Sequence, residues 1–384
     1  MAATAFSEFG YHSVGIDDIA AEVGITSGAV YKHFANKQQL LGYVVLHAMD
    51  LLDAAIIDNE PVARHALDSS IRSVIQLLYE RRSLSLLLQR ESRHLDATTL
   101  TQLGTRVGTV FARFKNLLQV TRPELGDNDA FRLVRCVFAV LASPAYHAIV
   151  LPRKRAEALL YGMATAILTS TALPRESSDA STLDSHDFTF RTRPVSTDNH
   201  LVPRASRREM LVTAAISLFA DNSFQGVSME DIGAAVGIRG PSIYRYFPSK
   251  TALLDAVLTR GAEWLQLGLS DALASGKTSK EKLERLLRSY VTFVLGNADL
   301  TSLMLREQVA PPDTYRRVHD DYLPEWARLI LALRPELTES EAIFLTHGVV
   351  GMVDDNARST TMTIPADLDD ILVEIGLEIL LRAT

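Results

Sequence analysis

Apolar residues return at every third or fourth position along most of the chain. In KEKLERLLRSYVTFVLG, residues Leu283, Leu286, Leu287, Tyr290, Val291, Val294 and Leu295 fall on one stripe, which predicts a helix with a single buried face. No stretch alternates apolar and polar residues between turn signals, so the expected fold class is all-α. The pattern breaks into shorter units in SMEDIGAAVGIRGPSIYRYF. Ser228 can cap a helix, with Asp231 three residues on, and Ile232 and Val236 lie one turn apart. Gly237 ends that helix, because glycine accepts the left-handed conformation found there. Pro241 suits the first turn of a second helix, with Ile243 and Phe247 inward and Tyr244, Arg245 and Tyr246 outward. A short helix, a glycine-containing turn and a second helix with a basic and aromatic outer face make a helix-turn-helix pattern.

The same phrase occurs earlier in the chain. A shift of 213 positions, the distance from Gly24 to Gly237, overlays the N-terminal region on the later one without a gap. Phe6 meets Phe219, Asp18-Ile19 meets Asp231-Ile232, and Tyr31, Phe34 and Lys37 meet Tyr244, Phe247 and Lys250. In the first copy Gly15 stands in the capping position, Thr26 caps the second helix, Val30 and Phe34 are inward, and Tyr31, Lys32 and His33 are outward. Further echoes follow at slightly different offsets: LLLQRE ending at Glu91 with LMLRE ending at Glu307, and RPEL at Arg122–Leu125 and Arg334–Leu337. A whole unit has been duplicated, with a period too long for a solenoid. The Ser-, Asp- and Thr-rich stretch 174–203 between the copies has proline at both ends and predicts a flexible linker.

Composition narrows the function classes. A 384-residue chain with 47% apolar and 22% charged residues fits two or three globular domains. A single cysteine, Cys136, excludes a disulfide framework or an intrachain CxxC site, reads as a small buried residue and suits a reducing cytoplasm. Neither a signal peptide nor a spanning segment is expected, since CVFAVLASPAYHAIVL is interrupted by Pro144 and His147. The expected location is therefore cytoplasmic. A net charge of −7 argues against general coating of nucleic acid but allows a local basic patch. No phosphate loop, dinucleotide fingerprint, HExxH or GxSxG is present. His47, His65, His94, His147, His319 and His347 share no metal-ligand spacing. Hence neither metal, cofactor nor enzymatic activity is expected.

IDDIAAEVGITSGAVYKHFANKQQLL and MEDIGAAVGIRGPSIYRYFPSKTALL resemble the DNA-binding domain of TetR-family transcriptional regulators. The pairing of two such units is similar to tandem TetR-type repressors of actinobacteria, some of which control lipid import and catabolism. The resemblance implies two units, each with a three-helix DNA-binding head and a roughly six-helix core for ligand binding and dimerisation. The expected division is head one at 1–45 with a shortened first helix, core one at 46–173, the linker at 174–203, head two at 204–258 and core two at 259–384. Thr26, Ser27, Ala29, Tyr31, Lys32, His33 and Lys37 match the family's DNA-facing positions, as do Arg239, Gly240, Ser242, Tyr244, Arg245, Tyr246 and Lys250. Arg207 and Arg208 add phosphate-facing charge to the second head, and the counterpart of RASRREMLVT is missing from the first. Arg239 and Pro241 depart from the family's usual Ser or Thr and Gly, so the second recognition helix is expected to enter the groove differently.

The implied partners are a double-stranded DNA operator and a small apolar effector of lipid, acyl or sterol type, with no membrane. Effector pockets are expected among the middle helices of each core. Leu87, Phe111, Phe114, Met304 and Trp326 are candidate walls, and Tyr146, His147, Tyr290 and His347 are candidate polar contacts. Arg90-Glu91 and Arg306-Glu307 are candidate coupling pairs between core and head. The leading expectation is a ligand-released repressor using two unequal heads on one operator, as a monomeric pseudo-dimer or a homodimer. The helices near 128–169 would then pack on those near 339–381. The alternatives are a chain in which only the second head reads DNA, and an all-α scaffold or enzyme.

Overall fold

The computed structural model describes residues 1–58, 60–173, 206–238, 240–306, 313–358 and 367–383. The expected linker at 174–203 lies outside the described residues. The fold is all-α. In the first unit, α1 (Ala2–Phe9), α2 (Ile16–Val23) and α3 (Ser27–Tyr31) form the head. The core follows with α4 (Lys37–Ala54), α5 (Ala63–Glu80), α6 (Arg82–Leu86), α7 (Ala97–Thr121), α8 (Asp127–Ala142) and α9 (Arg153–Leu168). In the second unit, α10 (Arg207–Gly226) and α11 (Met229–Ala235) precede a 3₁₀ turn at Gly240–Arg245. Its core comprises α12 (Lys250–Ser275), α13 (Ser279–Gly296), α14 (Ala298–Arg306), α15 (Asp313–Leu333), α16 (Glu339–Ala357) and α17 (Leu368–Arg382). The expected head–core boundaries fall inside α4 and α12, which are continuous from head into core.

The duplicated letters produce duplicated chemistry. Ser228 caps α11, and Asp231 reaches back to the Ser228 backbone N–H at 2.9 Å. Gly15 has no side chain, so only the Asp18 half of that box survives, at 2.7 Å. Gly24 and Gly237 close α2 and α11 with φ of 74° and 71°, conformations that a Cβ would strain. Phe6 and Phe219, equivalent residues of the two first helices, are fully buried. Each contributes about 1.5–3 kcal/mol of apolar burial. The RPEL echo also has a physical job. Arg122 donates to the Leu168, Ser170 and Leu173 carbonyls at 2.9–3.1 Å, and Arg334 donates to the Leu380 carbonyl at 3.3 Å. A fixed cation thus satisfies the carbonyls that end each unit's last helix.

The two units meet along α8 and α9 on one side and α16 and α17 on the other. Here Arg135 of α8 donates to the Asp355 carboxylate at 2.9 Å and to the Asp355 carbonyl at 2.5 Å. Arg155 of α9 pairs with Glu341 of α16. Asn356 donates to the Cys136 sulfur at 3.4 Å, and burial pushes the Cys136 thiol up to about 12, leaving it unreactive. The helices approach closely because Gly348 has no side chain: a Cβ there would lie 2.6 Å from Met163 Sδ on α9. Beside this seam, Asp354 is buried and accepts a 2.9 Å hydrogen bond from the Tyr290 hydroxyl of α13.

Two outcomes follow from the seam. Gly348→Leu overpacks it and should cost about 1–3 kcal/mol in thermal unfolding, with Met163→Ala recovering part of the loss in the double variant. Asp354 is raised from its ordinary 3.8 to about 7 by burial, against the opposing pull of Arg358 and the Tyr290 bond. A raised carboxyl stabilises fully below about pH 4, and that stability is lost as pH rises through 7. In a melting series from pH 4 to 8, the parent should therefore lose stability that Asp354→Asn retains.

Candidate nucleic-acid interface and effector cavity

Each head turns two apolar residues inward and a polar face outward. Val30 is buried and Phe34 half-buried in the first head, while Ile243 and Phe247 are buried in the second. The neighbours between them are exposed, with Tyr31 at 54% and Tyr244 at 45%. Lys32, His33, Ser242 and Arg245 are exposed as well, and Ser27, Ala29 and Tyr246 are half-buried. Thr26 is exposed and caps α3 by accepting from the Ala29 N–H at 3.3 Å, which leaves its hydroxyl proton for a phosphate. Arg207 and Arg208 are exposed, and the Arg208 guanidinium sits 4.6 Å from the centre of the Phe247 ring. Arg239 lies outside the described residues, and the Gly240 position begins the 3₁₀ turn.

The heads differ in the recognition element itself. The first carries a short α-helix, whereas the second has a 3₁₀ turn where the sequence predicts an α-helix. Pro241 brings no backbone N–H and Gly240 has low helical propensity, so the segment tightens instead of winding regularly. Two further candidates face inward. The Lys37 ammonium donates to the Tyr11 and Val14 carbonyls at 2.8 and 3.0 Å, and the Lys250 ammonium donates to the Phe224 and Val227 carbonyls at 2.8 Å each. These equivalent lysines hold the chain where the first helix of each head ends, against the aromatic rings of Tyr11 and Phe224. As solvent-facing contacts for phosphate they are corrected: a half-buried ammonium engaged by two carbonyls is a clamp within the head.

The first head is also tied to its core. After α6 the chain makes a π-helical turn, Leu87–Glu91, and a 3₁₀ turn, Ser92–His94. Glu91 is buried and accepts from the Tyr11 backbone N–H at 3.0 Å, and the His94 ring stacks on Tyr11 at 4.9 Å. Burial and nearby Arg93, His12 and Lys37 lower His94 to about 4, so its 3.7 Å approach to Glu91 is a neutral contact at pH 7. Glu91 of the expected Arg90-Glu91 pair thus also reaches the head, while burial raises its carboxyl against the opposing pull of the Tyr11 N–H and the nearby Arg93 and Arg90 charges. Glu307 lies outside the described residues, as does any account of the Arg306 side chain.

The effector candidates converge on one cavity of about 840 Å³, within the usual size range of small-molecule sites. It is shared by both cores, whereas the sequence predicts one pocket in each. Phe111, Tyr146 and His147 line it from the first unit, and Tyr290, Met304 and His347 line it from the second. Leu87, Phe114 and Trp326 do not reach it; all three are fully buried in helix packing. Phe114 packs edge-on behind Phe138, a wall residue, at 5.4 Å, and Trp326 packs behind Tyr290 at 6.2 Å. The sequence reading missed Gln89, Arg135, Ser143, Asp354, Asp355 and Arg358, all of which line the cavity. One visible sign was MVDDNAR, where consecutive acids interrupt an otherwise apolar helix.

Residues 1–44 and 211–257 both match the model of the bacterial regulatory proteins of the tetR family. The chain is 30% identical over 93 residues to the HTH-type transcriptional activator FasR of Mycolicibacterium smegmatis, covering 24% of this chain and 42% of that protein. It is 33% identical over 82 residues to the HTH-type transcriptional repressor KstR2 of the same organism, covering 21% and 40% respectively. The chain spans about two fifths of the length of these curated relatives. Among solved structures, that of AmtR from Mycobacterium smegmatis matches 48% of this chain and 90% of its own, with 23% identity and a TM-score of 0.42. No helix among the described residues is long and apolar enough to cross a membrane. Each of the two units thus carries a head of the tetR-family type.

Proposed function

We propose that the protein is a ligand-released repressor whose two unequal heads occupy the two half-sites of one operator. The observation that carries this reading is the seam, which joins both cores of one chain, each with its own head. One recognition element reads only a few base pairs, so a regulator needs two, held about 34–36 Å apart on successive turns of DNA. Family members reach that by pairing identical chains; here α8, α9, α16 and α17 supply the pairing internally. The outward residues differ, with Tyr31, Lys32 and His33 in one head and Tyr244, Arg245 and Tyr246 in the other. The operator is therefore an imperfect palindrome or lacks symmetry.

Release by an effector is supported by continuity between cavity and head. Gln89 and Ser92 border the cavity, and Glu91 between them holds the Tyr11 N–H of the first head. A ligand that prefers one arrangement of the π-helical turn shifts head spacing by the ratio of its affinities for the two arrangements. The apolar walls favour a lipid-like effector. A second reading is that only the second head binds DNA, where the exposed Arg207 and Arg208 open α10 with two positive charges.

Light scattering of the complex should give one chain per operator, and an obligate two-chain complex on a symmetric site would sink the proposal. Lys32→Ala and Arg245→Ala should each weaken operator binding and lower the slope of log affinity against log salt by about one. Loss of the Arg245 effect counts against the second head's role, and loss of the Lys32 effect alone favours the single-head reading. Lys250→Met separates clamp from contact: it should lower the stability of its head by about 1–3 kcal/mol, read by amide exchange in α10 and α11, whereas Arg245→Ala leaves that exchange unchanged.

A further inference from the structure

Two polar groups on the shared cavity, where the two units meet, are built for something that the protein itself does not supply. Ser143 begins the 3₁₀ turn after α8, and its Cβ lies 3.6 Å from where a side chain on Gly351 of the other unit would start. His147 follows that turn, stacks on His347 of the other unit at 4.3 Å and meets Phe344 edge-on at 5.3 Å. Both residues line the cavity. Ser143 is 1% exposed, and among the described residues neither its Oγ nor His147 Nε2 has a hydrogen-bond partner. Unpaired buried donors are costly, so two beside one cavity point to an outside acceptor.

The protonation state of His147 says what that acceptor must be. The Ile149 backbone N–H donates to His147 Nδ1 at 3.2 Å, so Nδ1 carries a lone pair. Burial, with a smaller push from Arg82, lowers the imidazole to about 4, so at neutral pH the single ring proton is on Nε2. Nε2–H and the Ser143 hydroxyl are then both donors. The charges around them are already matched. Arg135 pairs with Asp355. Arg358 lies 3.9 Å from Asp355 and gives both terminal nitrogens to the Gln89 amide oxygen at 2.8 Å once that amide is turned to face it. Asp354 receives the Tyr290 hydroxyl. Both guanidinium groups of the wall are thus engaged within the protein, and neither is left free to bind an ionic head group. Each unit also contributes apolar walls, Phe111 and Phe138 from one and Phe293 and Met304 from the other.

We infer that the cavity binds a single molecule of a neutral, elongated lipid whose carbonyl or hydroxyl oxygen, set between two apolar arms, accepts from Ser143 and His147 at the seam. This deepens the effector reading above and depends on it only for the consequence at DNA. Each arm lies in a different unit, so occupancy bridges the two cores, and the stoichiometry is one per chain.

The test uses the full chain without DNA and three probes of equal chain length: dioctyl ketone, heptadecane and heptadecanoic acid. Native mass spectrometry should count one ketone per chain, and calorimetric titration should rank the ketone above both others. Ser143→Ala and His147→Leu should each weaken the ketone about tenfold and leave heptadecane unchanged. His147→Gln, whose amide N–H can reach the place of Nε2–H, should restore the preference. Melting curves confirm that each variant is folded, and Ser143→Ala removes only one buried atom should the histidine variants fail. Two ketones per chain, equal affinity for heptadecane, tighter binding of the acid or no ketone binding at all would each overturn the site. Ketone binding with the stated ranking but no change in operator affinity would uphold the site and overturn ligand release instead.

Discussion

The packing of α8 and α9 against α16 and α17 is the contact on which the rest of the molecule depends. It makes two units of similar fold into one body, walls the cavity and fixes what lies between the heads. Its physics mixes close approach with selective polarity. Gly348 removes the side chain that would hold the helices apart, and around it the packing is apolar. Arg135 with Asp355 and Arg155 with Glu341 then fix the register of one unit on the other. Half-buried ion pairs of this kind add little net stability, because desolvation and side-chain ordering offset their attraction, but a shifted register would leave their charges unpaired. The seam therefore specifies one arrangement more strongly than it stabilises it.

Within that body the two units have kept the same internal devices and changed their outward faces. The lysine clamp, the left-handed glycine and the arginine that closes the last helix recur in both copies, because each satisfies backbone groups that any such fold must satisfy. The recognition elements have diverged, one a short α-helix and the other a 3₁₀ turn. Selection for a stable head constrains buried groups in both copies. The exposed faces carry no such shared requirement.

Much of this was legible in the sequence. Helical periodicity, the capping residues and the exact overlay of Gly24 on Gly237 identify the fold class and both heads, since these depend on local spacing. Residues whose role depends on a distant partner were harder to place. Lys37 and Lys250 read as outward cations from composition, but their ammonium groups turn to carbonyls 23 and 26 residues earlier in the chain. The 3₁₀ turn was signalled by Gly240-Pro241, yet the helical reading of the neighbouring pattern prevailed. One shared cavity in place of two could not be read at all: it arises where residues some two hundred positions apart, such as Ser143 and Gly351, face each other. Leu87, Phe114 and Trp326 show the same limit in reverse. Their size and apolarity suit a pocket wall and a packed core equally, and only the tertiary arrangement distinguishes the two.

The seam also alters how the molecule responds to its own abundance. When two separate chains must meet, the fraction paired falls with dilution, and site occupancy rises as a power of the amount of protein. Here the two halves belong to one polypeptide, so their meeting is unimolecular and their effective concentration is set by the connecting chain. Pairing of the halves is then the same in a cell holding a few copies as in one holding thousands. A gene for such a protein could be transcribed at a very low level without losing the paired form, and random fluctuation in copy number would not be amplified by an assembly step.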